Sequence, residues 1–180
     1  MESDFGRLLE AEIPRLRRYA RALTHDVTRA DDLVQSCLIR AVAKQQLWQP
    51  GTNLRAWLFT ILHNQHVNDI RRSAREENNV PIDEIAPVAS VQATAMDVLE
   101  LRDLETALGK LSPEQRQVIL LVALEGMGYE DVASVLGIPV GTVRSRLSRG
   151  RDQLRKLMDM EPKIRSEEAV DHTGDDRRAA

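Results

Sequence analysis

The sequence predicts an all-α fold, with two small helical domains joined by a flexible acidic linker and the second domain ending in a helix-turn-helix. Three observations predict it. Leu, Ala, Val, Arg and Glu dominate, aromatic residues make up 3% of the 180, and no alternating apolar run is long enough for a sheet, whereas apolar residues recur three and four apart. A stretch rich in acids, small residues and prolines, EENNVPIDEIAPVASVQATA, divides the chain. The segment from Gly128 to Leu157 reads as two helices joined by one tight turn. The expected limits are therefore 1–75 for the first domain, 76–95 for the linker, 96–160 for the second domain and 161–180 for a disordered tail. Two domains of this size have modest cores.

In the first domain, Phe5, Leu8, Leu9 and Ile13 begin an amphipathic helix that Pro14 should interrupt or restart, because proline has no N–H to donate. Leu16, Tyr19, Ala20 and Leu23 continue the apolar face, with Arg15, Arg17, Arg18 and Arg21 around it. In RADDLVQSCLIRAVAK, Asp31 and Asp32 fall at the expected helix start, and Leu33, Val34, Cys37, Leu38, Ala41 and Val42 form the expected buried stripe. Its exposed acids suit a basic partner; first-turn acids would also complement the helix dipole. Cys37, the single cysteine, can make no internal disulfide and is assigned to core packing. After Pro50-Gly51, Thr52 or Asn53 caps a third helix, NLRAWLFTILHNQHVNDIRRSAR, with Leu54, Trp57, Leu58 and Ile61 inward. Asn64, Asn68, Arg71 and Arg72 gather toward its C-terminal half. His63 and His66 lack the Cys or third His that would complete a metal site, so no metal is expected.

In the second domain, Val98, Leu101, Leu104, Leu108 and Leu111 follow helical spacing, and Ser112-Pro113-Glu114-Gln115 makes a capping box with proline in the first position. Val118, Ile119, Leu121, Val122 and Leu124 give the next helix an almost wholly apolar body on which the last two helices can dock. Of these, the first carries Val132, Ala133, Val135 and Leu136 at helical spacing, Glu130 and Asp131 in its first turn, and a left-handed stop at Gly137. The second places Val143, Leu147, Leu154 and Leu157 in one narrow stripe, with Gly150 between them. Arg144, Arg151 and Arg155 lie on one flank, Arg146 on the other, and Ser145, Ser148, Arg149 and Lys156 face outward. A major-groove reader needs such a helix, because the groove admits one helix and arginine pairs bidentately with guanine.

Charge is segregated along the chain. Residues 1–75 carry twelve basic and eight acidic side chains, 76–105 one and eight, 106–157 eight and five, and 158–180 four and seven. The overall charge of −3 argues against a simple DNA-coating protein, whereas two positive blocks around a negative connector suit two nucleic-acid-facing domains held apart. No nucleophile, base and orienter form a recognisable constellation, which counts against an enzyme. The acidic start lacks the layout of a signal peptide, and the longest apolar run, Val118 to Leu124, is too short for a membrane span, so a cytoplasmic location is expected.

YEDVASVLGIPVGTVRSRLSRGRDQL resembles the promoter-reading end of bacterial RNA polymerase sigma factors of the extracytoplasmic-function (ECF) class, VGTVRSRL most specifically, and the likeness extends from about Ile13 to Leu157. The resemblance implies a region 2 domain and a region 4 domain, core RNA polymerase, promoter DNA and an anti-sigma factor as partners, and no cofactor. On it, Asp31, Asp32 and Gln35 are candidates for polymerase docking, Asn64, Asn68, Arg71 and Arg72 for the melted downstream element, and Thr142, Arg144, Ser145, Arg146, Ser148 and Arg149 for the upstream element. NLRAWLFTILHN and the acidic linker look most like the general-stress-response, EcfG-type branch. Two rivals are a stand-alone helix-turn-helix regulator, which leaves residues 13–75 unexplained, and a sigma-mimicking protein that sequesters an anti-sigma factor, which would need no Arg144, Arg146 or Arg149.

Overall fold

Apolar spacing of three and four residues folds the chain into seven α-helices among the residues described, 2–76 and 95–158 of a computed structural model. They are α1 Glu2–Thr24, α2 Val27–Ala43, α3 Leu54–Glu76, α4 Ala95–Gly109, α5 Pro113–Ile119, α6 Tyr129–Leu136 and α7 Val140–Leu157. A 3₁₀ turn, Gln45–Leu47, follows α2, and a π-helical turn, Leu120–Leu124, continues α5. Apart from its end residues, the expected linker lies outside the described residues, as does the expected tail.

The first domain packs α1, α2 and α3 around Leu16, Tyr19, Leu33, Val34, Cys37, Leu58, Phe59 and Leu62, all buried. The Tyr19 and Phe59 rings meet at 5.2 Å. Contrary to expectation, α1 runs through Pro14 without a break. Pro14 lies on the solvent side, as does Glu10, so water can satisfy the carbonyl that the missing N–H leaves. The start of α2 also differs. Asp26 is the N-cap, its Oδ1 accepting from Arg29 N at 2.9 Å, which places Asp31 and Asp32 in the second turn, beyond the dipole contact expected of first-turn acids. Val42 is 52% exposed rather than part of the buried stripe. On α3, Asn53 rather than Thr52 provides the cap, accepting from Ala56 N at 3.1 Å. The buried line there is Leu58, Phe59 and Leu62, while Leu54, Trp57 and Ile61 are half-buried beside it. WLFTIL offers two overlapping apolar faces, and the contact with Tyr19 selects between them.

In the second domain the capping box forms as expected, Gln115 N donating to Ser112 Oγ at 3.3 Å and Ser112 N to Gln115 Oε1 at 3.4 Å. Arg116 turns back to the end of α4, donating to the carbonyls of Leu108 at 2.9 Å and Gly109 at 2.8 Å. Leu111 is buried just after α4, whereas Leu101 is 47% exposed. Val118, Leu121, Val132, Val135, Val143 and Leu147 form the core that seats the last two helices. Gly150 lets α7 lie close on α5: a Cβ there would stand 2.7 Å from Ile119 Cδ1.

The domains are not held apart. α3 packs on α6, α1 meets the π-helical turn, and the buried side chains of both domains form one continuous cluster.

Candidate nucleic-acid interface

The turn between α6 and α7 aims the second helix. Gly137, at φ 64°, supplies the left-handed residue, and Ile138 N donates to Ala133 O at 3.1 Å. Pro139 then caps α7 through its carbonyl, which accepts from Thr142 N at 2.9 Å and Val143 N at 3.1 Å. With Val143, Leu147 and Gly150 buried, the opposite face carries Arg144, Ser145, Ser148 and Arg149, all exposed, with Thr142 and Arg146 half-buried at its edges. The structure thus brings all six upstream-element candidates onto one side of one helix. Leu157, expected in the buried stripe, is 37% exposed, because α7 has outrun its platform.

Arg149 is folded along the helix, its Nε donating to Ser145 O at 3.2 Å and its Nη2 to Ser145 Oγ at 3.4 Å. The Arg144 guanidinium lies 5.9 Å from the centre of the Tyr129 ring. These two residues line a cleft of about 330 Å³ with Ser148, Arg151, Asp152 and Arg155. Sequence reasoning missed Tyr129 and Asp152: Asp152 bonds Arg155 at 2.7 Å and puts a carboxylate on the reading helix, which its spacing on the outward face could have disclosed. The contact of Tyr129 depends on how α6 crosses α7, which periodicity does not encode.

A second polar stripe runs along α3. Asn64, Asn68, Arg71 and Arg72 are all exposed on one side of it, and Arg72 stands 3.6 Å from Asp69. On α2 the candidates separate. Asp32 and Gln35 are exposed, but Asp31 is half-buried and faces α1, with Arg17 at 3.7 Å and Arg21 at 4.0 Å. Spaced three, seven and ten residues from Asp32, Gln35, Ile39 and Val42 share its stripe, and Ile39 is 64% exposed. Leu47 nearby is 65% exposed. Sequence reading missed this apolar edge, although ten apolar residues on α2 exceed what one buried face can hold.

Two domain families match the chain: "Sigma2 domain of PhyR" over residues 9–63 and "Sigma-70, region 4" over residues 101–154. The ECF RNA polymerase sigma factor EcfG of Rhodopseudomonas palustris is 41% identical over 148 residues, 82% of this chain and 81% of that protein. The chain belongs to the ECF RNA polymerase sigma factors. Solved relatives share its fold. The sigma factor RpoE of Bartonella quintana, in complex with the anti-sigma factor NepR, superposes with a TM-score of 0.80 at 38% identity, covering 88% of this chain and 99% of that one. CnrH, in complex with the cytosolic domain of CnrY, gives 0.66 at 30% identity, over 90% and 92%. In this sigma factor the region 2 match spans most of α1, all of α2 and the first half of α3, and the region 4 match runs from α4 into α7. No helix among the described residues is long and apolar enough to cross a membrane.

Proposed function

We propose that this sigma factor binds core RNA polymerase and directs it to stress-response promoters, reading the upstream element with Thr142, Arg144, Ser145, Arg146, Ser148 and Arg149 and the melted downstream element with Asn64, Asn68, Arg71 and Arg72. The observation that carries the reading is α7: a basic, hydroxyl-bearing face, exposed along its centre at Arg144, Ser145, Ser148 and Arg149, on a helix fixed by a left-handed glycine turn. Single-stranded recognition on α3 suits amides and arginines on one exposed stripe. Polymerase docks on α2 through Asp32 and Gln35 with the exposed Ile39 and Val42 further along the same stripe, Asp31 serving at the edge of that surface. An anti-sigma factor restrains the protein, as the complexes of its Bartonella and CnrH relatives suggest. The chain carries no catalysis of its own, and the share of identity with EcfG supports the general-stress branch.

The test is transcription in vitro with purified core polymerase and a promoter library. The protein should select a defined promoter set, and Arg149→Ala should relax base preference at one upstream position at a cost of about 1–3 kcal/mol. Sequence-specific duplex binding by the protein alone at physiological salt, with no polymerase-dependent transcription, would favour a stand-alone regulator instead.

A further inference from the structure

The domain junction is built around one buried acid. Glu125, just past the π-helical turn, is 2% exposed, and its charge partner comes from the other domain. Arg18 on α1 donates through Nε to Glu125 Oε1 at 3.0 Å and through Nη2 to Glu125 Oε2 at 3.0 Å, and also reaches the Leu124 carbonyl at 3.1 Å. The π-helical turn, by departing from the α-helical ladder, presents that carbonyl and the following carboxylate to α1. Two further contacts join the domains: Arg116 Nη1 lies 3.2 Å from His25 Nε2, and Asn53 Nδ2 donates to Asp131 Oδ2 at 2.9 Å.

We propose that Arg18 and Glu125 form an intramolecular latch that holds the free sigma factor closed, and that it must open before the two domains can engage separate promoter elements. A buried carboxylate is costly without its partner, so loss of Arg18 strands Glu125 in the closed state, whereas in the parted domains water solvates both groups. Closure ties the start of α3 to the first turn of α6, fixing the two reading faces within one body. The Bartonella relative, bound by NepR, superposes on 88% of this chain with a TM-score of 0.80; here the closing contacts lie within the chain itself. A restraining partner would then select a state the chain already occupies. The inhibitory half of the proposal rests on the sigma-factor reading; the latch itself does not.

Spin labels on Thr28→Cys and Ser134→Cys, both exposed positions in different domains, report the interdomain distance by pulsed EPR in the full chain. Cys37, buried with its thiol pushed up to about 12, stays unlabelled. The parent should give one narrow distribution, and Arg18→Ala and Glu125→Gln should each broaden it to longer distances without loss of helix by circular dichroism. Unchanged distributions in both folded variants would overturn the latch. A second arm uses Asn53→Cys with Asp131→Cys: the verified disulfide should abolish polymerase-dependent transcription and reductant should restore it. Equal activity of the crosslinked and reduced forms would overturn the inhibitory role. If the reduced and parent proteins both failed to transcribe, the functional reading and the inhibitory role would fall together, while the distances would still decide the latch.

Discussion

Gly150 shows how one atom can fix the placement of the reading helix. A methyl group there would meet Ile119 Cδ1 at 2.7 Å and Gln115 Cβ at 3.3 Å, and Ile119, 7% exposed, has little room to yield. Overpacking of this kind costs about 1–3 kcal/mol, and alanine's better helix propensity returns up to about 1. Gly150→Ala is therefore expected to lower stability by about 1 kcal/mol, read as a lower denaturant midpoint at unchanged slope. Adding Ile119→Val should recover most of it. No recovery would mean that α7 shifts bodily. At this scale the outward placement of Ser145, Ser148 and Arg149 was legible, because it follows from the helical wheel once Val143 and Leu147 are inward. The sequence disclosed Asp31 poorly. Whether an acid faces solvent or two arginines of α1 depends on how α1 crosses α2, and spacing within α2 is silent on that.

Elements were legible where local chemistry decides them and misread where tertiary contact does. The Ser112 box and the Gly137 turn each rest on residues within a few positions and emerge from the sequence, whereas the α3 cap was legible only as Thr52 or Asn53. The π-helical turn does not emerge, because LLVAL fits an α-helix equally well and only packing of the turn explains the change. Pro14 is the opposite case, a strong local signal overridden. A proline inside a helix costs about 3 kcal/mol in the lost hydrogen bond and the clash with the preceding turn, and α1 bears this because Phe5, Leu9 and Leu16 on either side are buried in the same core. Pro14→Ala should thus stabilise the protein by about 1–3 kcal/mol, less whatever the proline contributed by stiffening the unfolded chain. Hydrogen exchange should show the gain concentrated in the first half of α1. A loss of stability on this change would mean that Pro14 sets a bend the core requires.

On the scale of the whole molecule, charge segregation suggested separated domains, and the structure instead closes them on a junction that neither half of the sequence reveals alone. Arg18 and Glu125 are far apart in the chain, so their pairing is a property of assembly. The junction also concentrates groups whose protonation disfavours the fold. His25 is half-buried against Arg116; burial and then that charge hold its pKa below the ordinary value. Burial likewise lowers His63. His66 is lowered to about 4 by burial first, then by His63 and Arg116, with Asp69 opposing. All three are therefore neutral in the fold at pH values where the unfolded chain, with histidines near 6.5, already takes up protons. The stability they protect is full above about pH 6.5 and is lost as pH falls from there toward about 4. Denaturant midpoints between about pH 7 and pH 5 should decline, and His66→Gln should flatten the decline, because the largest shift is removed while the other two remain. The same titration should favour domain opening, since a charged His25 would sit against Arg116. The distance distribution between Thr28→Cys and Ser134→Cys should accordingly lengthen at the acid end of that range. A flat midpoint across it would exclude the histidine cluster as a determinant of the closed fold.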